Sequence, residues 1–310
     1  MSAFPSVGFA RAILLLLGGG REEHAARRAT TVGRGTKSPS ESDMYGKTAI
    51  DFPRRIVCLT SETAEIAYLV GAGERVVGVP GTARRPEAAR EKAKVGGFTS
   101  FRLDKILGLE PDLVLGFSDL QRDVVRDLVG AGVSVLCTNQ RSLDEVMGAI
   151  LVIGGALGRE GDARALVADI RDEIRQVREY SSVWPDRPRV YFEEWPDPPI
   201  AGIRWVSELI EIAGGVDVFA ELRIERSAKQ RVVDLNEVAR RDPEIILASW
   251  CGKPVDAPAN AARAGWADVT AVRRGAIHEI DGADVLSPGP SLMHGLRLIH
   301  EIVQDFQTTR

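Results

Sequence analysis

Cysteine is scarce in this sequence: three residues, at positions 58, 137 and 251, spread over a chain of 310. Such wide spacing excludes a disulfide-built scaffold and any paired-cysteine zinc module. Histidine is nearly as rare, with four residues, three of them beyond position 277, so no histidine-rich metal site is expected. Long apolar runs are missing as well. The strongest, Ala12 to Leu17, falls far short of the roughly 20 apolar residues of a membrane span. No charge of one sign dominates, since 40 Lys and Arg against 44 Asp and Glu leave a net −4. Without a basic block, a nucleic-acid partner is not expected. Neither a Walker-type phosphate loop nor a nucleophile elbow is present, and Gly71-Ala72-Gly73 ends a helix rather than following a strand. Catalysis is therefore not expected.

What remains is 44% apolar and 27% charged residues, the profile of a soluble globular protein of about two domains. Residues 1–43 stand apart. Arg11 before Ala12–Leu17 permits a secretory signal, although no clean cleavage site follows. Arg21 to Asp43 is rich in Arg, Gly, Ser and Thr without periodicity, and disorder is expected there. The alternative is a true start at Met44, ten residues before the first convincing strand. Export and a cytoplasmic location both stay open.

From Arg55 onward, short apolar strands alternate with helices. Strands are expected at 55–59, 76–79, 113–115, 133–136, 189–192, 245–248 and 276–280. Helices are expected from Ser61 to Gly71, at 103–109 and 122–129, from Ser207 to Gly214, at 236–240 and at 291–306. Near-continuous apolar strands separated by helices imply parallel sheets covered on both faces. Between the halves, Ala163, Leu166, Val167, Ile170, Ile174 and Val177 keep a 3.6-residue period, and Pro185 and Pro188 close the segment. The fold class expected is α/β: two Rossmann-like lobes with parallel sheets, joined by one long rigid helix. The boundaries are residues 1–43 as leader, 44–157 and 185–310 as lobes, and 158–184 as the bridge. The lobes repeat a pattern, Ser61-Glu62…Ile66 against Ser207-Glu208…Ile212, which suggests duplication.

In such lobes ligands sit at the carboxyl ends of the strands. The residues released there are Glu62 and Thr82, then Phe117, Ser118 and Asn139. The second half adds Glu194, Trp195, Arg204, Trp205, Trp250 and Cys251. Three tryptophans near one cleft would offer flat apolar surface with an N–H donor to a large, rigid ligand; packing over lobe edges is the plainer alternative. Glu62 suits a helix first turn in any protein. Of Glu193 and Glu194, alternation sends at most one to the cleft. Arg204 fits either a ligand contact or an ion pair. Cys251 fits an inert thiol, with a nucleophile or a cobalt ligand as sharper alternatives, and Cys58 and Cys137 read as core.

The stretches Arg55–Thr60 with Glu62 and Glu65, Val95–Ser100, Lys105–Ser118, Val190–Trp195, Ile203–Gly215, Ser249–Lys253 and Pro288-Gly289-Pro290 carry a resemblance. Together they make the chain from Arg55 to Phe306 similar to the substrate-binding proteins of cobalamin and iron-siderophore ABC importers. Within these it most resembles the bacterial group labelled cobalamin-binding proteins. The resemblance implies two lobes with limited hinge motion, no intrinsic cofactor, and a corrinoid or iron chelate held between the lobes by a monomer. It also implies docking to an ABC permease through one surface glutamate per lobe. Glu91 and Glu225 stand nearest those positions, beside the basic Arg90, Lys92 and Arg226, so the docking roles are not transferred to them. No lipobox cysteine stands near residue 20. A ferric siderophore, or a cytoplasmic corrinoid binder or enzyme on the same fold, is the alternative.

Overall fold

The computed structural model describes residues 52–309; the leader expected over residues 1–43 and the start at Met44 lie outside them. Five strands build the first sheet: β1 (Ile56–Cys58), β2 (Val76–Val79), β3 (Ala93–Lys94), β4 (Leu113–Phe117) and β5 (Val135–Thr138). They run parallel in the order β3-β2-β1-β4-β5. The apolar runs read from the sequence lie at its centre, where every residue of β1 and β4 is buried on both faces. Helices α1 (Ser61–Leu69), α2 (Leu103–Gly108) and α3 (Arg122–Gly130) cover it. Thr60, rather than Ser61, caps α1. Its backbone is extended, and its side chain exchanges hydrogen bonds with Thr63 in a capping box.

Two helices follow, α4 (Leu143–Ala156) and the 22-residue α5 (Glu160–Ser181). The buried face of α5 is Ala163, Val167, Ile170, Ile174 and Val177, the spacing of one helical stripe. At the crossing with α4, a Cβ added to Gly154 would lie 2.3 Å from the Ala163 Cβ, so glycine sets the approach distance.

The second sheet holds β6 (Arg189–Pro196), β7 (Pro199–Ala201), β8 (Val216–Asp217), β9 (Ile245–Ala248) and β10 (Ile277–Glu279). Around it lie α6 (Arg204–Ile212), α7 (Leu235–Arg241), α8 (Ala257–Ala261), α9 (Thr270–Arg274), α10 (Gly282–Val285) and α11 (Leu292–Thr308). Strand β6 pairs in parallel with β8 and β9, and β9 with β10. The path β8-β6-β9-β10 thus repeats β2-β1-β4-β5, as the internal repeat in the sequence suggests.

The sequence reading needs three corrections here. Strand β6 extends beyond Phe192, because an antiparallel partner, β7, hydrogen-bonds its far end; Glu193, Glu194 and Trp195 are strand residues. Helix α6 begins at Arg204, not Ser207, because the chain leaves β7 through an extended Ile203 that serves as its cap position. Cys137 is exposed rather than in the core, since β5 is the sheet edge.

One apolar cluster runs from Ile56 and Leu115 through Ile150 and Ile170 to Phe192 and Leu209. The lobes are therefore fused through α4 and α5 by a continuous core. Among the described residues, no helix is long and apolar enough to cross a membrane.

Candidate functional site

In an open parallel sheet, the crevice forms where strand order reverses, beyond the carboxyl ends of the two strands flanking that point. In the first lobe those strands are β1 and β4, and they deliver Thr60, Ser61 and Glu62 on one side and Phe117 on the other. In the second lobe they are β6 and β9, and β9 releases Trp250, Cys251, Gly252 and Lys253. These groups, with Thr82, Arg84, Phe98, Glu279, Asp281 and Pro288, line one cleft of about 790 Å³. That volume lies in the upper part of the range for small-molecule sites.

The first-lobe wall is aromatic and hydroxylic. The Phe98 and Phe117 rings stand 6.4 Å apart at a tilt of 43°, and Ser61 Oγ lies 3.1 Å from Thr82 Oγ1. Behind Phe117, the Arg141 guanidinium sits 5.3 Å from the ring centroid. Glu62, in the first turn of α1, is only 3% exposed, and its Oε1 has no hydrogen-bond partner among the described residues. Burial lifts its carboxyl to about 7, against the hydrogen bonds of its own backbone N–H and the Thr60 side chain. Across the lobe junction, a Cβ on Gly289 would fall 2.5 Å from the Glu62 Cβ. The Pro288-Gly289 turn can therefore close over Glu62 only as glycine.

The second-lobe wall is Trp250, aimed by a buried ionic network. Its indole N–H donates to Glu193 Oε1 at 3.1 Å. Glu193 is fully buried and accepts from Arg263 at 2.6 and 3.0 Å and from Asn260 Nδ2 at 3.2 Å. The Tyr191 hydroxyl adds a bond at 3.3 Å. With the charge neutralised and the indole edge anchored, the ring is a fixed surface. Beside it, burial and the Glu194 charge push the Cys251 thiol up; it stays protonated at neutral pH and is a poor nucleophile.

Five of the residues expected from the sequence, Glu62, Thr82, Phe117, Trp250 and Cys251, line this cleft. The others do not. Trp205 is a core residue, 3% exposed, and its indole donates to the Val285 carbonyl at 2.8 Å, because it sits on the buried face of α6. Ser118 is also buried and spends its hydroxyl capping the turn after β4, accepting from Leu120 N. Arg204, the first residue of α6, pairs with Glu208 at 2.8 Å. Glu194 pairs with the buried Arg231 at 2.7 Å. Trp195 carries the Lys253 ammonium 4.5 Å above its ring and donates to the Asp197 carbonyl, so it props the lining loop rather than facing the cleft. Asn139 is exposed beyond β5, outside the lining. Both strand glutamates, Glu193 and Glu194, are thus neutralised by arginine.

Sequence reasoning missed Phe98, Arg84 and Lys253 as lining residues. Phe98 follows β3, a two-residue edge strand whose residues are both exposed, so no apolar run announces it. Arg84 is visible only through its partner in the other lobe, Asp281, at 2.6 Å. Among the described residues, no group of three or more His, Cys, Asp or Glu side chains is arranged to hold a metal.

A family profile described as periplasmic binding protein matches residues 56–283. The chain belongs to this family. Like the periplasmic binding proteins, it is a binding protein and not an enzyme. It is 27% identical over 260 residues to the ABC transporter substrate-binding lipoprotein YvrC of Bacillus subtilis, covering 81% of this chain and 80% of that one. It is also 27% identical over 205 residues to a vitamin B12-binding protein of Vibrio cholerae, covering 64% of this chain and 71% of that one. Among solved structures, the periplasmic heme-binding protein RhuT of Roseiflexus sp. RS-1 superposes with a TM-score of 0.71 at 25% identity, covering 82% and 99% of the two chains. The vitamin B12-binding protein BtuF of Vibrio cholerae has the same two-lobed fold, with a TM-score of 0.68 at 22% identity and coverage of 82% and 98%. In this periplasmic binding protein the cleft between the two sheets is the candidate ligand site.

Proposed function

We propose that this chain is the substrate-binding component of an ABC-type importer, and that it holds cobalamin or a related corrinoid between Phe98 and Phe117 on one lobe and Trp250 on the other. Glu62, Thr82 and Cys251 complete the wall. The observation that carries this reading is the make-up of the cleft: aromatic rings on both walls and only two cations among the lining residues. Arg84 is paired with Asp281, and Lys253 lies over Trp195. A polyanionic ferric chelate would meet one salt-bridged guanidinium and one exposed ammonium, set among the carboxyl groups of Glu62, Glu279 and Asp281, whereas a large macrocycle with uncharged amide arms needs no positive charge. Haem fits less well. Protein axial ligands to haem are His, Cys, Met or Tyr, and among the cleft-lining residues only Cys251 qualifies, with its thiol held protonated.

The relatives named for vitamin B12 and for an ABC transporter support the same reading, and a lipoprotein among them supports action outside the cytoplasmic membrane. The protein works as a monomer that presents the cleft to a permease, with the lobes as residues 44–157 and 185–310. Equilibrium titration with cyanocobalamin, haemin and a ferric hydroxamate, read by tryptophan quenching, tests the assignment. Saturable quenching by cyanocobalamin with Kd below about 100 μM supports it; tighter binding of haemin or the hydroxamate overturns it.

A further inference from the structure

The second lobe closes over Glu62 without offering it a partner. The carboxyl sits at the base of the cleft, 3% exposed, with Oε1 unbonded, and the Gly289 turn packs directly on its Cβ. Neutral groups supply its local contacts, the Thr60 side chain and its own backbone N–H. The charged and titratable groups around it are few. On its own helix stands Glu65, which accepts from the Ser291 N–H and hydroxyl of the second lobe and is itself raised by burial. From β1 comes Cys58, whose thiol burial drives to about 12. Spanning the junction, Arg85 of the first lobe and Asp284 of the second pair with each other at 2.6 Å. The remaining cleft cations, Arg84 and Lys253, are engaged as described. Among the described residues, no cation sits against Glu62 to balance its ionised form.

We propose that ligand capture in this cleft is coupled to protonation of Glu62, so that the closed, occupied state holds it as a neutral carboxylic acid. The proposal rests on the ligand reading above. In the free protein this carboxyl titrates at about 7. A bound macrocycle removes the remaining cleft water and raises it further, because desolvation penalises the charged form. Binding then takes up a proton at neutral pH. By linkage, affinity is constant below about 7 and falls as pH rises above it, by at most about tenfold per unit. Release is thereby favoured on the alkaline side and capture on the acid side. The histidines of the described residues do not mimic this profile: His278, His294 and His300 are all pushed below their ordinary value by burial, so they titrate before the window opens.

The test is the affinity of cyanocobalamin for the full chain and for Glu62→Gln between pH 6 and 8.5. The wild type should bind several-fold to about thirtyfold more weakly at pH 8.5 than at pH 6, and Glu62→Gln, a neutral isostere, should give a flat profile. A flat wild-type profile, or a slope retained in Glu62→Gln, overturns the coupling while leaving the ligand reading intact. Absence of binding by both proteins overturns the ligand reading. Urea unfolding then decides the proton claim by itself. A carboxyl raised on folding contributes stability that is present below its ordinary value of 4.5 and is lost as pH rises through about 7. The wild type should therefore lose stability relative to Glu62→Gln between pH 4.5 and 7; a constant difference overturns the proposal.

Discussion

Two tryptophans that look alike in the sequence have opposite roles in the structure. Trp205 is closed into the core with its N–H on the Val285 carbonyl. Trp205→Ala should cost about 3–5 kcal/mol in denaturant unfolding, through the cavity and the orphaned carbonyl. Trp250 is only partly buried on the cleft wall, so Trp250→Ala should cost less stability and act mainly on ligand affinity. Its anchor is the more sensitive position. Glu193→Ala leaves the Arg263 guanidinium without its counter-charge and should destabilise by about 3–5 kcal/mol, measured by the shift in urea midpoint. The sequence places both tryptophans near strand ends, but the way Trp205 faces depends on where α6 begins. With the helix starting at Arg204, the positions Trp205, Val206, Leu209, Ile210 and Ile212 form one buried face. With a start at Ser207, Trp205 reads as a loop residue free to face a ligand.

At the scale of elements, legibility follows burial. Strands β2 and β9 match the expected bounds residue for residue, because continuous apolar runs admit little other reading. The α5 stripe is equally plain. Hairpin β6–β7 is not, since Glu193, Glu194 and Trp195 break the apolar run, and their strand conformation comes from pairing with Pro199–Ala201. Tertiary pairing here overrides local pattern. The packing of α4 on α5 depends on a residue with no side chain. Gly154→Ala would force a Cβ to within 2.3 Å of Ala163 Cβ, and the overpacking should cost about 1–3 kcal/mol. Equilibrium denaturation should show a lower midpoint with an unchanged slope, since the surface exposed on unfolding hardly changes.

Over the whole molecule, the lobes are joined by more than the long helix. The apolar cluster is continuous between them, and polar links cross the junction at Arg84–Asp281, Arg85–Asp284, Glu65–Ser291 and Gln140 to the Pro288 carbonyl. Their strengths differ. Arg84 and Asp281 are both half-exposed or more, and Asp281→Asn should change stability by less than about 1 kcal/mol. Such a bonded junction allows a small adjustment around the ligand rather than wide hinge closure. X-ray scattering profiles with and without cyanocobalamin should superimpose, and a marked contraction on binding would contradict this stiffness. Lobe number and the strut were visible in sequence periodicity, whereas the cross-lobe pairs were not, because each joins residues more than 140 positions apart.

The most direct measurement is calorimetric titration of cyanocobalamin into the wild-type chain and into Trp250→Ala. One site per chain with Kd below about 100 μM, weakened tenfold or more by the substitution, is the expected result. No saturable heat in the wild type, or equal affinity in the two proteins, would contradict a corrinoid held against Trp250 in this cleft.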